Sequence, residues 1–169
     1  MKTPKLTTKK LVIISLFAAI AIVLRLFVFY PVPTIKLTLE HVPVILSGLL
    51  FGPFAGAITG FVYDLVGANL IPGGTYFPGI TFSAMLVGLI PALLKGKLLR
   101  KGSFLNILSI VLITEIIASM LFNTYWLSIL YGAPFTALLL PRVITYLCMS
   151  FVYATIIYFL YGRLKKQID

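Results

Sequence analysis

The chain has 169 residues, 60% of them hydrophobic, with a mean hydropathy of +1.09 and only fourteen basic and four acidic side chains. That composition lies far outside the range of a water-soluble domain and leaves no room for a separate catalytic head. At about 20 apolar residues per helical crossing of a hydrocarbon core about 30 Å thick, the length accommodates five or six crossings in a single domain, residues 1–169.

A net charge of +10 raises the question of nucleic acid. The Lys and Arg residues, however, sit at the ends of apolar runs and do not interleave with aromatics along a polar surface, so they read as topology signals. The single cysteine, Cys148, has no internal disulfide partner, and the single histidine, His41, cannot build a His-rich metal site; no metal or cofactor is expected.

The first apolar run, Leu11 to Tyr30, follows Lys9 and Lys10 and contains Ala19-Ile20-Ala21, which resembles a signal-peptide cleavage site. The run continues well past those small residues, so it reads as a full crossing. "PVPTIKLTLEH" follows, with two prolines and alternating Ile35, Leu37 and Leu39, and is expected to be an extended, partly strand-like loop. The segments 42–51 and 54–70 read as a helical hairpin about the turn "GPF". "IPGGTYFPG" (71–79) cannot continue a helix, because it holds two prolines and three glycines. Further helices are expected over 80–94, 104–131 and 134–161, the fourth ending in the basic loop "KGKLLRKGS". The reading is an all-α integral membrane protein with six transmembrane helices. Eleven of the fourteen basic residues, in the N-terminal segment, the 95–101 loop and the C-terminal tail, then share one face, which makes both termini cytoplasmic.

Arg25, Lys36 and Arg142 remain outside that pattern. Ionisable groups inside a crossing cost at least about 2.5–3.5 kcal/mol each, so Arg25, Asp64, Glu115 and Arg142 are candidate functional residues. The structural alternative is two internal ion pairs that lock the bundle. Arg25, Asp64 and Arg142 fall in the outer halves of their helices, whereas Glu115 lies deeper. Glu115, Ser119, Asn123 and Trp126 recur at helical spacing, and Arg142, Tyr146, Met149 and Tyr153 repeat the pattern in the last helix. Such polar-aromatic stripes should face each other or a cavity, since a lipid-facing amide or guanidinium would be unpaired. Gly52, Gly56, Gly60, Asp64 and Ala68 form a small-residue stripe suited to close helix packing. Ser15, Ala18, Ala19 and Ala21 form a second small patch, either packed internally or docking another membrane protein. No G-x-x-x-x-G-K-[ST], H-E-x-x-H or G-x-S-x-G motif occurs, so neither nucleotide hydrolysis nor a recognised hydrolase site is expected, and the chain does not read as an enzyme.

Taken together, "LLFGPFAGAITGFVYDLVG", "PGGTYFPGITFSA" and "NTYWLSILYGAPFTALLLPRV" closely resemble the substrate-binding S components of energy-coupling factor (ECF) vitamin transporters, and most of all the folate-type group. The resemblance spans nearly the whole chain. It implies a receptor in the cell membrane that captures a vitamin from outside and works with a transmembrane coupling subunit and two cytoplasmic ATPase subunits. It further implies a coupling interface at Ser15, Ala18, Ala19 and Ala21, and external loops at 31–40 and 71–79 that close over the ligand. The first loop departs from the Gly- and aromatic-rich folate pattern by carrying Glu40 and His41.

Folate joins a flat pterin through an aminobenzoate to a glutamate with two carboxylates. Its rings call for aromatic walls, for which Tyr76, Phe77, Trp126 and Tyr131 are candidates. The pterin donors call for Asp64 or Asn123, and the carboxylates for Arg25 or Arg142, with Lys36 as a steering charge. Another vitamin (pantothenate, pyridoxine or a related heterocycle) stays open, as do a non-binding membrane scaffold and an intramembrane enzyme using Asp64 and Glu115.

Overall fold

The structure is a computed structural model that describes residues 8–27, 29–32, 35–70, 76–99 and 103–168. Helix α1 spans Thr8–Leu26 and leads into a short antiparallel hairpin of β1 (Phe29–Val32) and β2 (Ile35–Leu37), paired Phe29 to Leu37 and Val32 to Ile35. The alternation in "TIKLTL" is therefore expressed as a strand, with Lys36 in β2. Helix α2 (His41–Phe51) turns through Gly52 into α3 (Pro53–Leu70), the expected helical hairpin. The turn sets Gly52 at φ +100°, which disfavours any other residue.

Helix α4 is Pro78–Leu98, α5 is Phe104–Tyr131 and α6 is Phe135–Ile168. Six helical rods thus follow the expected order. Helix α4 starts two residues earlier than expected because Pro78 occupies its first turn, where a missing N–H costs nothing. Helices α4 and α6 also run further than the apolar pattern, taking in Lys95 and Lys97 and Lys165 and Lys166, cations that favour a helix C-terminus.

Among the described residues, α4, α5 and α6 are long and apolar enough by themselves to cross a membrane. Helix α2 has only 11 residues, about 16 Å of rise and half a hydrocarbon core. It is nevertheless the centre of the bundle: every residue from His41 to Leu49 is buried, which accounts for its lack of a polar face. Val44, Ile45, Leu46 and Leu49 join Ile107, Ile110 and Val111 of α5 and Tyr153, Ala154 and Ile157 of α6 in one core.

Helices α2, α3 and α4 meet backbone to backbone. An added Cβ at Gly88 would collide with the Gly56 carbonyl, one at Gly56 with the Gly88 carbonyl, and one at Gly60 with the Ala84 carbonyl. Gly56 and Gly60 of the small-residue stripe are thus the α3 side of a packing seam continued by Gly48 and Gly88, whereas Gly52, with nothing within 4 Å, belongs to the turn and not to the seam. Ser47 and Thr59 add a buried 2.7 Å hydrogen bond across α2 and α3.

Candidate functional site

One cavity of about 60 Å³ lies between α1, the start of α2, α3, α4 and α5. Arg25, Asp64 and Asn123, three of the residues singled out in the sequence, line it, together with Glu40, His41, Tyr63, Ser83 and Ser119.

Its α1–α3 side is an ion-pair lattice. Arg25 donates from Nη1 to Asp64 Oδ1 at 2.7 Å, and its Nε stands 4.0 Å from Glu40 Oε2. Thr81 of α4 donates to the other Asp64 oxygen at 2.7 Å. The Arg25 guanidinium also lies 5.8 Å from the Tyr63 ring centroid, a cation–π contact. Gly67 leaves the space that the Arg25 stem fills, since a Cβ there would come within 2.8 Å of Arg25 Cδ. Arg25 and Asp64 are therefore brought together as each other's partner, the pairing the structural alternative anticipates for that couple.

The second couple forms differently. Glu115 is 1% exposed and takes its 2.8 Å contact from His41 Nδ1, while Arg142 donates to Thr124 Oγ1 at 3.3 Å. Among the described residues no carboxylate pairs with Arg142. Tyr153, on the α6 stripe, packs its ring 5.9 Å from His41 and donates its hydroxyl to the Thr38 carbonyl at 2.6 Å. That bond ties the exit of the hairpin to α6.

The stripe of α5 is reshaped by a π-helical stretch over Glu115–Asn123. The wider turn holds more residues, so side chains four apart no longer advance round the helix as in an α-helix. Ser119 and Asn123 consequently line the cavity, while Trp126 is carried beyond it to lie against Gly79, whose missing Cβ gives the indole its seat. Phe77 packs 6.0 Å from the Trp126 ring and Tyr125 5.1 Å from it. Among the described residues, Asn123 Oδ1 and Trp126 Nε1 are both buried without a hydrogen-bond partner. Unsatisfied buried polar atoms are costly and rare, and here two stand within three residues on one wall.

Other sequence candidates are placed less centrally. Tyr76 and Tyr131 are exposed at 40% and 70%. Lys36 lies in β2, with its side chain outside the described residues, as are 71–75 of the second expected loop. On α1, Ser15 and Ala19 are exposed, whereas Ala18 and Ala21 are 4% and 0% exposed, so only the first pair faces outward. The residues sequence reasoning left unassigned are Glu40, Tyr63, Thr81 and Ser83. A polar pair immediately before the apolar run "VPVILSGLL" is the signal that marks Glu40 and His41.

This six-helix arrangement, with a small polar cavity among its helices, can be compared with known proteins. Residues 9–161 match the family of ECF transporter substrate-specific components, and the chain belongs to that family. Within it the chain is similar to the folate transporter FolT of Clostridium novyi (strain NT), 30% identical over 148 residues that cover 88% of this chain and 85% of that one. It is also 32% identical over 163 residues to the folate transporter FolT of Leuconostoc mesenteroides subsp. mesenteroides, covering 93% and 86%. The crystal structure of FolT bound with folic acid superposes with a TM-score of 0.79 at 27% identity, covering 93% of this chain and 95% of that one. The chain is accordingly a membrane transport protein of the S-component class, not an enzyme.

Proposed function

We propose that this chain is the folate-capturing subunit of an ECF importer. It is a multi-pass protein of the cell membrane with both termini in the cytoplasm. It binds the vitamin from outside and delivers it inward through a transmembrane coupling subunit, powered by two separate cytoplasmic ATPase subunits. The absence of any phosphate-binding loop in the sequence suits that division of labour.

The observation that carries the reading is the set of groups left over on the α5–α6 wall among the described residues: Arg142 without a carboxylate, Asn123 Oδ1 and Trp126 Nε1 without hydrogen-bond partners. Folate supplies complements to all three kinds, with carboxylates for the guanidinium, donors for the amide oxygen, and a flat ring system for the Trp126–Phe77 aromatic pair. Arg25 and Asp64 hold the opposite wall rigid, the exposed Tyr76 offers a further aromatic contact to the vitamin, and Lys36 steers the anion. Ser15 and Ala19 present the coupling face, with Ala18 and Ala21 setting the α1 backbone close to the bundle.

Isothermal titration of the purified full chain with folate, pantothenate and pyridoxine tests the assignment. Saturable folate binding, with the other two silent, is expected. Binding of either competitor in place of folate overturns the substrate, and no binding of any of them favours the scaffold alternative.

A further inference from the structure

Packing fixes the ring of Trp126 and leaves its nitrogen unused. The indole lies against Gly79, where an added Cβ would collide with Cδ2 and Cγ, and it is flanked by the rings of Phe77 at 6.0 Å and Tyr125 at 5.1 Å. A flat ligand ring answers the face of the indole but not its N–H. The indole nitrogen only donates, and among the described residues Nε1 is buried with no acceptor. A buried Trp nitrogen ordinarily has a partner, and one without is a cost that a purely stacking residue has no reason to carry, since Phe provides the stack without it. The unused donor points to an acceptor that arrives with the ligand.

The surroundings limit what that acceptor is. Gly79, Phe77 and Tyr125 carry no charge, so a carboxylate drawn in among them would lose its hydration with no cation in exchange, whereas a carbonyl oxygen requires only the donor. Asn123 stands three residues earlier on the same wall, with Oδ1 buried and likewise without a partner among the described residues. The wall thus offers an acceptor beside a donor. Its complement is a donor beside a carbonyl, the arrangement of a ring lactam, and in the pterin of folate that edge is N3–H beside C4=O.

We propose that Trp126 is a specificity-determining residue that donates its indole N–H to the C4=O of the pterin, with Asn123 Oδ1 accepting from N3–H. This rests on the folate reading above and adds to it which edge of the vitamin meets α5.

Trp126 is the only tryptophan of the chain, so biosynthetic incorporation of benzothienylalanine, which has sulfur where indole has N–H and otherwise a similar ring shape, alters this one group. Titration of the purified full chain then compares folate with its 4-amino analogue, which has an amino group in place of that oxygen and no hydrogen on N3. The sulfur-containing chain should lose about tenfold in folate affinity, the size of one buried hydrogen bond left unmade. Its affinity for the 4-amino analogue should change by less than about twofold, because a group that touches only one of two ligands affects only that one. Without ligand it should melt no lower than the native chain, since a donor with no partner adds no stability.

Unchanged folate affinity overturns the donor role, as does a lowered melting temperature of the ligand-free chain, which would reveal a partner within the protein. Equal losses toward both ligands overturn the lactam edge, and if the 4-amino analogue binds neither chain, the folate affinities decide alone. Should the sulfur-containing chain not fold, the native chain still answers: its single indole N–H proton resonance should move downfield on saturation with folate, and no movement overturns the inference. Folate binding with these signs absent sinks this inference alone, whereas no folate binding by the native chain sinks the folate reading itself.

Discussion

Arg25 and Arg142 look alike in the sequence, each a lone guanidinium within an apolar run, yet they have opposite surroundings. Arg25 has Asp64 at 2.7 Å and Glu40 at 4.0 Å, whereas Arg142 has a hydroxyl at 3.3 Å. They should therefore respond differently to mutation. Arg142→Ala is expected to weaken folate binding by about 2 kcal/mol or more with little effect on the melting temperature of the ligand-free protein, and Arg142→Lys to recover part of the loss. Titration together with thermal unfolding in detergent separates the two effects. Asp64→Asn, by contrast, should lower stability by about 3 kcal/mol, at the lower end for a broken buried pair because Glu40 remains within reach of Arg25. A melting temperature unchanged from native would contradict that role for the pair. The four ionisable residues were legible in the sequence as groups that do not belong in lipid. Their pairing was not, because partners are set by helix rotation, and Glu115 meets a histidine from a loop-to-helix junction 74 positions away.

At the level of elements, helix order and the strand-like loop follow from hydropathy and proline placement, whereas the π-helical stretch of α5 has no such signature. The spacing of Glu115, Ser119, Asn123 and Trp126 presupposes a regular α-helix. The wider turn breaks that stripe into a cavity-lining portion and an aromatic portion seated on Gly79. The small-residue stripe, in turn, was readable as close packing, but its partner carbonyls on α4 were not. Gly88→Ala is expected to destabilise the bundle by about 1–3 kcal/mol or more, since the collision is with backbone that cannot move aside. Gly162→Ala, on α6 with nothing within 4 Å, should instead be neutral or gain up to about 1 kcal/mol. Thermal unfolding of the two variants measures the contrast, and equal effects would rule out the seam as a structural lock.

At the scale of the whole molecule, the proposed function assigns vitamin binding and coupling to different faces of the bundle. Ser15 and Ala19 are exposed on α1, remote in sequence from the residues of the α5–α6 wall. Enlarging both to Leu is expected to abolish folate uptake by the assembled importer while leaving folate affinity of the isolated chain within about twofold, because large side chains prevent close helix approach. Uptake assays beside titration decide this, and a parallel loss of both would place the two residues in the fold itself. Sequence established the membrane class and the six rods by hydropathy; it could not distinguish the inward Ala18 and Ala21 from the outward pair, since that depends on how α1 leans on its neighbours.

The volume of the cavity has a kinetic consequence. At about 60 Å³ it is several-fold smaller than the roughly 300–1,000 Å³ typical of small-molecule sites, so a molecule as long as folate enters only after helices separate. Helices α2, α3 and α4 are held carbonyl to glycine and cannot part cheaply, which leaves α1 and α5 as the movable walls of the cavity. In rapid-mixing experiments the observed rate of vitamin capture should accordingly rise with folate concentration and then level off at a ceiling set by the protein's own breathing, so that helix motion, rather than diffusion, times each encounter.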